Sequence, residues 1–184
     1  MKKNALIKDQ KGFTLVEIAI VLVIIGLLIG GILQGRSMIQ NARVKRVVND
    51  MEGLRTAVLA FQDRYGMLPG DENNPNIPPN DTTNGNNNGQ MAETAGWEMS
   101  DLRNAELIPG SGISLPTHQF GGTLRVGWAN ISGLTTNWII ATNLPGEVCQ
   151  EIDTKYDDGV FTTGIIRGNV AYTTATVGTL GWRL

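Results

Sequence analysis

The chain has 184 residues, of which 41% are apolar, and a formal net charge of −2 at neutral pH. This length accommodates one domain and an additional segment. A charge so close to zero gives no electrostatic support for direct binding of nucleic acid. Cys149 is the single cysteine, so an internal disulfide is excluded and a buried thiol that packs as a small apolar side chain is the simplest expectation.

Residues 13–33 form an aliphatic run in which Glu17 is the only charged residue. As a helix, this run is about 31 Å long and matches the hydrocarbon core of a bilayer. Its length and uniform apolarity disfavour a buried helix of a soluble protein. The run is also too long for a secretory signal peptide, and Gly30-Gly31 fits a signal-peptidase site poorly. We therefore predict a retained transmembrane helix over 13–35.

Glu17 is unusual because a carboxylate at membrane depth costs about 2.5–3.5 kcal/mol on insertion scales. One interpretation is that it lies near the helix N-terminus, reaches the headgroups and interacts favourably with the helix dipole. The other is that it pairs with a cation at the same depth. The run contains no Lys, Arg or His. The cation would then be an α-amine created by cutting the chain nearby, for example between Gly12 and Phe13.

Residues 11–17, with the sequence KGFTLVE, follow a short basic segment and precede the aliphatic run. This arrangement resembles the cleavage and methylation signature of type IV pilins and of type II secretion pseudopilins. The resemblance implies that a prepilin peptidase cuts after Gly12 on the cytoplasmic side and that Phe13 becomes N-methylated. It also implies that Glu17 pairs with the terminal amine of an adjacent subunit during assembly.

The resemblance further implies a bacterial inner-membrane protein with a single membrane pass, its head in the periplasm and a later place in a pilus or pseudopilus. The partners expected on this basis are other pilin or pseudopilin subunits, the prepilin peptidase, and an inner-membrane assembly platform with its ATPase. The expected function is structural, without enzymatic activity and without a cofactor. Two alternatives remain open at this point. One is a membrane-anchored periplasmic binding domain that does not polymerise, and the other is a membrane-anchored enzyme.

Beyond the aliphatic run, apolar residues recur in alternating steps of three and four residues. They are Val44, Val47, Met51, Leu54, Val58, Phe61 and Tyr65. This spacing predicts one apolar face of a continuing helix. The opposite face carries Lys45, Asn49, Glu52, Thr56 and Asp63. We predict a cleaved cytoplasmic leader over 1–12, the transmembrane helix over 13–35, an amphipathic stem helix over 36–66 and a globular head over 67–184.

Pro69-Gly70 predicts an interruption of the helix, and Asn, Pro and Gly dominate the loop that follows. Short helices are predicted over 97–108 and 144–156. Strands are predicted over 123–131, 137–142, 159–168 and 169–175, with a hairpin turn at Gly168-Asn169. The sum is an α+β fold in which the long N-terminal helix packs on a small antiparallel sheet, as it does in pilins.

Asn84, Asn86 and Asn88 have the spacing of the first, third and fifth ligand positions of a calcium loop. The first position lacks its carboxylate, however, and the twelfth position is Ala95 instead of Glu. A polar loop is therefore the simpler interpretation of this segment.

Asp153, Asp157 and Asp158 form a second acidic cluster, just before Gly159. A turn into a strand is the first interpretation of this segment. Calcium is the alternative, because the resemblance to pseudopilins implies that some heads of this kind bind it. His118 is the single histidine, and no Ser, Cys or metal-ligand pattern of recognisable spacing accompanies it. We expect it to be a loop residue.

Overall fold

The structure is a computed structural model that describes residues 12–82, 84–91, 96–173 and 175–184. It divides into two units, with the boundary between Asn41 and Ala42. We call them the N-terminal unit and the C-terminal unit. Helix α1 contributes residues to both units. The elements are α1 (Leu15–Tyr65), α2 (Trp97–Asn104), β1 (Leu124–Ile131), β2 (Leu134–Pro145), α3 (Gly146–Tyr156), β3 (Ile166–Gly168) and β4 (Thr176–Arg183).

The C-terminal half of α1 buries the apolar face that the sequence predicts. Its buried residues are Val44, Val47, Val48, Met51, Leu54, Ala57, Val58 and Phe61. Val48 and Ala57 are buried in addition to the predicted residues of the apolar face, while Tyr65 is half-buried. The predicted polar face is exposed throughout. The amphipathic part of the helix is therefore confirmed, and its apolar face contributes to the main hydrophobic core.

Helix α1 ends at Tyr65 because the next residue takes a left-handed conformation. Gly66 has φ +73°, and its amide donates to the carbonyl oxygen of Gln62 at 2.8 Å. Glycine is the usual residue at this position because it has no Cβ to clash there. The predicted interruption at Pro69-Gly70 comes after the helix has already ended.

The four strands form one antiparallel sheet in the order β1-β2-β4-β3. Strands β1 and β2 pair from Leu124 opposite Ala141 to Ile131 opposite Leu134. The turn between them consists of Ser132 and Gly133, both with positive φ, and this geometry matches the natural twist of a hairpin. The strands predicted over 123–131 and 137–142 are confirmed, and the second is longer than predicted.

Alternate residues of β2 face opposite sides of the sheet. Ile139 and Ala141 belong to the main core, with residues of all three helices. Trp138 and Ile140 pack with Ile131 in a smaller cluster. The α+β architecture, with the long helix packed on a four-stranded antiparallel sheet, is therefore confirmed.

Helix α2 is shorter than the predicted span of 97–108, because the chain turns after Asn104. Glu106 has φ +59°, its amide donates to the carbonyl oxygen of Arg103, and the amide of Leu107 donates to that of Leu102 at 2.9 Å. These bonds form a Schellman motif, which here has a glutamate in place of the usual glycine.

The prediction for the last strands was wrong in four respects. Only Ile166–Gly168 of the predicted strand 159–168 is extended, and the described residues of 169–175 form turns and bends. Gly168-Asn169 is not a hairpin turn, and strand β4 was not predicted. Carboxylates explain the first difference. The amides of Val160 and Ile165 donate to Asp158 and Asp157, so these amides bond to side chains instead of to a neighbouring strand.

Helix α3 confirms the short helix predicted over 144–156, although it begins at Gly146. Cys149 lies on the face of α3 that contacts the core, and it is fully buried. The expectation of a buried thiol is therefore confirmed.

Candidate assembly site and acidic clusters

The residues predicted for processing and assembly lie at the start of α1. Gly12 and Phe13 precede the helix, and the side chain of Phe13 is 84% exposed. Glu17 lies in the first turn of the helix and is exposed. The structure therefore places all three at or just before the start of α1, where they are exposed.

Thr14 holds the side chain of Glu17 in place. The amide and the hydroxyl of Thr14 donate to Glu17 Oε2 at 2.7 and 2.9 Å. In return, the Thr14 hydroxyl oxygen accepts a hydrogen bond from the Glu17 amide at 3.2 Å. This reciprocal pattern is a capping box, which satisfies amides that a helix N-terminus otherwise leaves without partners. The spacing Thr-x-x-Glu is the sequence signal for this cap, which was not predicted.

Between Glu17 and Leu33 the surface of α1 is apolar on all sides. Among the described residues, α1 is the one helix long and apolar enough to cross a membrane, and none of that stretch is buried within the protein. Leu22, Leu27 and Leu33 are all more than 60% exposed. A surface of this kind needs lipid or other helices around it.

Glycines interrupt this surface without breaking the helix. Gly26, Gly30, Gly31 and Gly35 all lie within α1, and a Cβ placed on any of them would meet no other atom. Their spacing by four and five residues leaves shallow places along the helix, where a second helix can approach closely.

The structure brings Asp153, Asp157 and Asp158 together, with one oxygen of each within 4.8 Å of the others. Their oxygens accept hydrogen bonds from the surrounding loop. Tyr172 Oη donates to Asp153 at 2.6 Å, the Ile166 amide to Asp157 at 2.7 Å, and Thr163 Oγ1 to Asp158 at 2.6 Å. These carboxylates therefore organise the turn that the sequence predicts before β3. Calcium at this cluster stays a prediction.

The segment that contains Asn84, Asn86 and Asn88, which have the spacing of a calcium loop, contacts Asp71. The amides of Asn88 and Gly89 donate to the two carboxylate oxygens of Asp71 at 2.8 and 2.7 Å. Asp71 is buried, so this contact anchors the segment to the loop that follows α1. Ala95, the twelfth position of the calcium-like spacing, lies outside the described residues.

His118 lies in the loop before β1, as expected, and it is 4% exposed. Its Nε2 is 2.7 Å from the carbonyl oxygen of Thr142, and its Nδ1 accepts a hydrogen bond from the Phe120 amide at 3.2 Å. In this arrangement Nε2 donates and Nδ1 accepts. Both ring nitrogens thus take part in hydrogen bonds, and Nε2 connects this loop to β2.

A third group of carboxylates was not expected from the sequence. Glu72, Asp81 and Asp101 are all buried, and one oxygen of each lies within 4.8 Å of the others. Burial, and then the neighbouring Asp101, raise the pKa of Glu72 to about 9. The loop after α1 and helix α2 both supply residues, so no local spacing in the sequence points to the group.

Comparison with known proteins identifies the N-terminal segment. Residues 7–33 match the family model for the prokaryotic N-terminal methylation motif. No curated protein and no solved structure matches the chain. The matched range includes Gly12, Phe13, Glu17 and the apolar part of α1. The chain therefore carries the prepilin-type signature of a membrane-anchored protein similar to type IV pilins and pseudopilins.

Proposed function

We propose that this protein is a structural subunit of a type IV pilus-like filament or of a type II secretion pseudopilus. A prepilin peptidase cuts the chain between Gly12 and Phe13 and methylates the new amine of Phe13. The processed subunit then joins the filament through α1. The observation that carries this proposal is the methylation motif at residues 7–33, which leads directly into a helix with an exposed apolar surface.

Such a helix has two successive environments in this proposal. Before assembly, lipid covers the apolar residues of α1, and the subunit is anchored in the inner membrane with its C-terminal unit in the periplasm. After assembly, the helices of neighbouring subunits cover the same residues, and the exposed glycines of α1 allow close contact. Repetition of one contact that does not close on itself produces an open filament.

Glu17 determines where neighbouring helices meet. In this proposal its carboxylate accepts the methylated amine of Phe13 from an adjacent subunit. Two opposite charges attract strongly where water is excluded, and either one is costly if it is left unpaired there. Both hydrogen bonds from Thr14 end on Oε2 of Glu17. The capping box thus fixes the position of the carboxylate before the neighbour arrives.

The motif implies contacts with other pilin-type subunits and with the prepilin peptidase. We further propose that an inner-membrane platform and its ATPase drive assembly, because a subunit of this kind has to be extracted from the membrane. The function of the C-terminal unit in this proposal is structural, as the surface of the filament.

N-terminal mass spectrometry of the protein purified from its own host tests the processing step. We expect a mature chain that begins with N-methylated Phe13. A Gly12→Val variant should keep its leader, because the peptidase needs a small residue before the cut, and it serves as the matched control. An intact leader in the wild-type protein, or a cut after Gly30, would contradict the proposal.

Filament recovery tests the assembly step. Glu17→Ala should abolish the sedimentable, cross-linkable polymer, while the exposed Glu52→Ala, on the same helix, should leave it unchanged. If the protein were an anchored binding domain that does not polymerise, neither variant would change its sedimentation. Equal polymer yields for wild type and Glu17→Ala would therefore contradict the proposed role of Glu17.

A further inference from the structure

The loop after α1 and the helix α2 bring three acidic side chains into one buried place. Glu72 follows Pro69-Gly70, Asp81 lies further along the same loop, and Asp101 lies within α2. Their exposed fractions are 0%, 8% and 0%, and one oxygen of each lies within 4.8 Å of the other two. Buried carboxylates at this separation repel one another unless a positive charge or protons lie between them.

The surroundings of Glu72 indicate that a ligand is missing from this cluster. Neither of its carboxylate oxygens accepts a hydrogen bond from a donor among the residues that the structure describes, and the polar group that it contacts is the carboxyl of Asp101, which is an acceptor unless one of the two carries a proton. A buried polar atom without a partner is costly, and native proteins nearly always provide one. Because an oxygen of Glu72 points towards Asp81 and Asp101, the missing partner belongs in the space between the three side chains.

Two arginines at the ends of α1 and α2 donate hydrogen bonds to backbone oxygens. Arg64 Nη1 donates to the carbonyl oxygen of Ala105 at 2.8 Å. Arg103, on α2 itself, donates to the carbonyl oxygens of Pro109, Gly112 and Ser114. Arg64 thus connects α1 to the end of α2, Arg103 connects α2 to the loop that follows it, and these guanidinium hydrogen bonds go to backbone oxygens. A cation from solution, in place of a proton, can supply positive charge between the three carboxyl groups.

We propose that Glu72, Asp81 and Asp101 bind a calcium ion. The three carboxylates offer only oxygen atoms, which are the ligands preferred by hard divalent cations, and neither histidine nor cysteine belongs to the cluster. Calcium accepts the irregular arrangements of oxygen that loops provide, whereas magnesium demands a strict octahedron. Extracellular modules of this kind bind calcium with dissociation constants of about 10⁻⁴ to 10⁻³ M.

The ion fastens the loop after α1 to α2. The loop already contacts α2 through the amide of Gly70, which donates to Asp101 Oδ2 at 2.5 Å. It is also folded on itself, since the amide of Gly85 donates to the carbonyl oxygen of Glu72 at 2.6 Å. Calcium on Glu72 and Asp101 adds a direct link between the two segments. The site lies entirely within the C-terminal unit, so it is independent of the proposed processing and assembly.

Thermal unfolding of the full chain in detergent, after treatment with EDTA, tests the site. We expect millimolar CaCl₂ to raise the unfolding midpoint by several degrees, and MgCl₂ to have a smaller effect. Equilibrium dialysis with radioactive calcium should show about one bound ion, in line with one cluster of three carboxylates. An unchanged midpoint in calcium, or a larger response to magnesium, would overturn the assignment.

Glu72→Gln provides a test that compares stability with and without calcium. Without calcium, at neutral pH, this variant should be about as stable as wild type, because the raised pKa of Glu72 already keeps that carboxyl protonated and uncharged. With calcium it should be less stable than wild type, and its affinity for calcium should fall by about tenfold or more. Asp81→Asn should also lose affinity for calcium, so the test does not depend on the folding of one variant.

Two control variants test whether the calcium response comes from this cluster. Glu52→Gln removes an exposed carboxylate and should respond to calcium as wild type does. Asp153→Asn disrupts the other acidic cluster and should keep the calcium response. The assignment to Glu72, Asp81 and Asp101 is wrong if the calcium response is lost in Asp153→Asn but kept in Glu72→Gln. It is also wrong if Glu72→Gln and Glu52→Gln respond to calcium alike.

Discussion

Thr14 and Glu17 cap the first turn of α1 reciprocally, each accepting a hydrogen bond from the backbone amide of the other. The acidic residue of the methylation motif therefore stabilises the first turn of its own helix. This local contact also supports the interpretation of Glu17 as a residue near the helix end. The two interpretations of Glu17 are compatible, because the cap uses one carboxylate oxygen and determines where the other points.

Removal of the Thr14 hydroxyl should loosen the start of α1. An N-cap threonine contributes about 0.5–2 kcal/mol, so Thr14→Val should accelerate hydrogen exchange of the Glu17 amide by about 2- to 30-fold. The measurement is exchange detected by NMR for the full chain in detergent micelles. Thr14→Ser keeps a hydroxyl at the same place and should retain the protection. Equal exchange in the two variants would show that the cap contributes nothing.

Glu98 should make the protein less stable as the pH rises. Burial raises the pKa of Glu98 from its ordinary 4.5 to about 7, although its Oε2 accepts a hydrogen bond from the Gly96 amide. The folded chain thus holds this proton at a pH where the unfolded chain releases it. The stability that it contributes is fully present below pH 4.5 and is lost as the pH rises to about 7, by about 3 kcal/mol in total.

Denaturant unfolding at pH 5 and pH 8, in EDTA, measures this effect. Glu98→Gln cannot lose a proton, so its stability should decline less between the two pH values than that of wild type. Glu52→Gln, which changes an exposed residue, should decline as wild type does. A Glu98→Gln variant whose stability falls as steeply as that of wild type would contradict the prediction.

Gly181 should tolerate no side chain. A Cβ at this position in β4 would clash with Ile131 Cδ1 and lie 2.9 Å from Trp138 Cε3. Because these residues are fully packed on that face of the sheet, Gly181→Ala should lower the free energy of unfolding by about 1–3 kcal/mol. Gly127→Ala in β1 is the matched control, since its Cβ would meet no atom closer than 3.6 Å. Similar unfolding midpoints for the two variants would refute this account of Gly181.

The thiol of Cys149 should be unreactive in the folded protein. Burial, and then the charge of Asp153, raise the pKa of Cys149 to about 12. Since the thiolate is the reactive form, alkylation by iodoacetamide at pH 8 should be about a thousandfold slower in the folded chain than in the unfolded chain. Mass spectrometry over time measures the rate. Ser111→Cys in a Cys149→Ala background places a thiol at an exposed position and should react quickly in the folded protein. Rapid alkylation of native Cys149 would contradict its burial.

Helical periodicity made the long helix predictable. The residues from Val44 to Phe61 follow one face of a helix, and this pattern depends only on spacing along the chain. Strand β1 and helix α3 were also predictable from residues close together in the chain. Their boundaries differ from the predicted ones by a few residues at most. Gly178 and Gly181 hid strand β4, because glycine weakens a strand unless a close packing partner requires it.

The sequence by itself determined the apolar anchor, the methylation motif with Gly12, Phe13 and Glu17, and the amphipathic continuation of α1, because each of these is encoded in neighbouring residues. The tertiary structure alone decided the sheet order, the loop around Asp157 and the group formed by Glu72, Asp81 and Asp101. Those features depend on contacts between residues far apart in the chain, and on carboxylates that accept hydrogen bonds from backbone amides otherwise available to a strand.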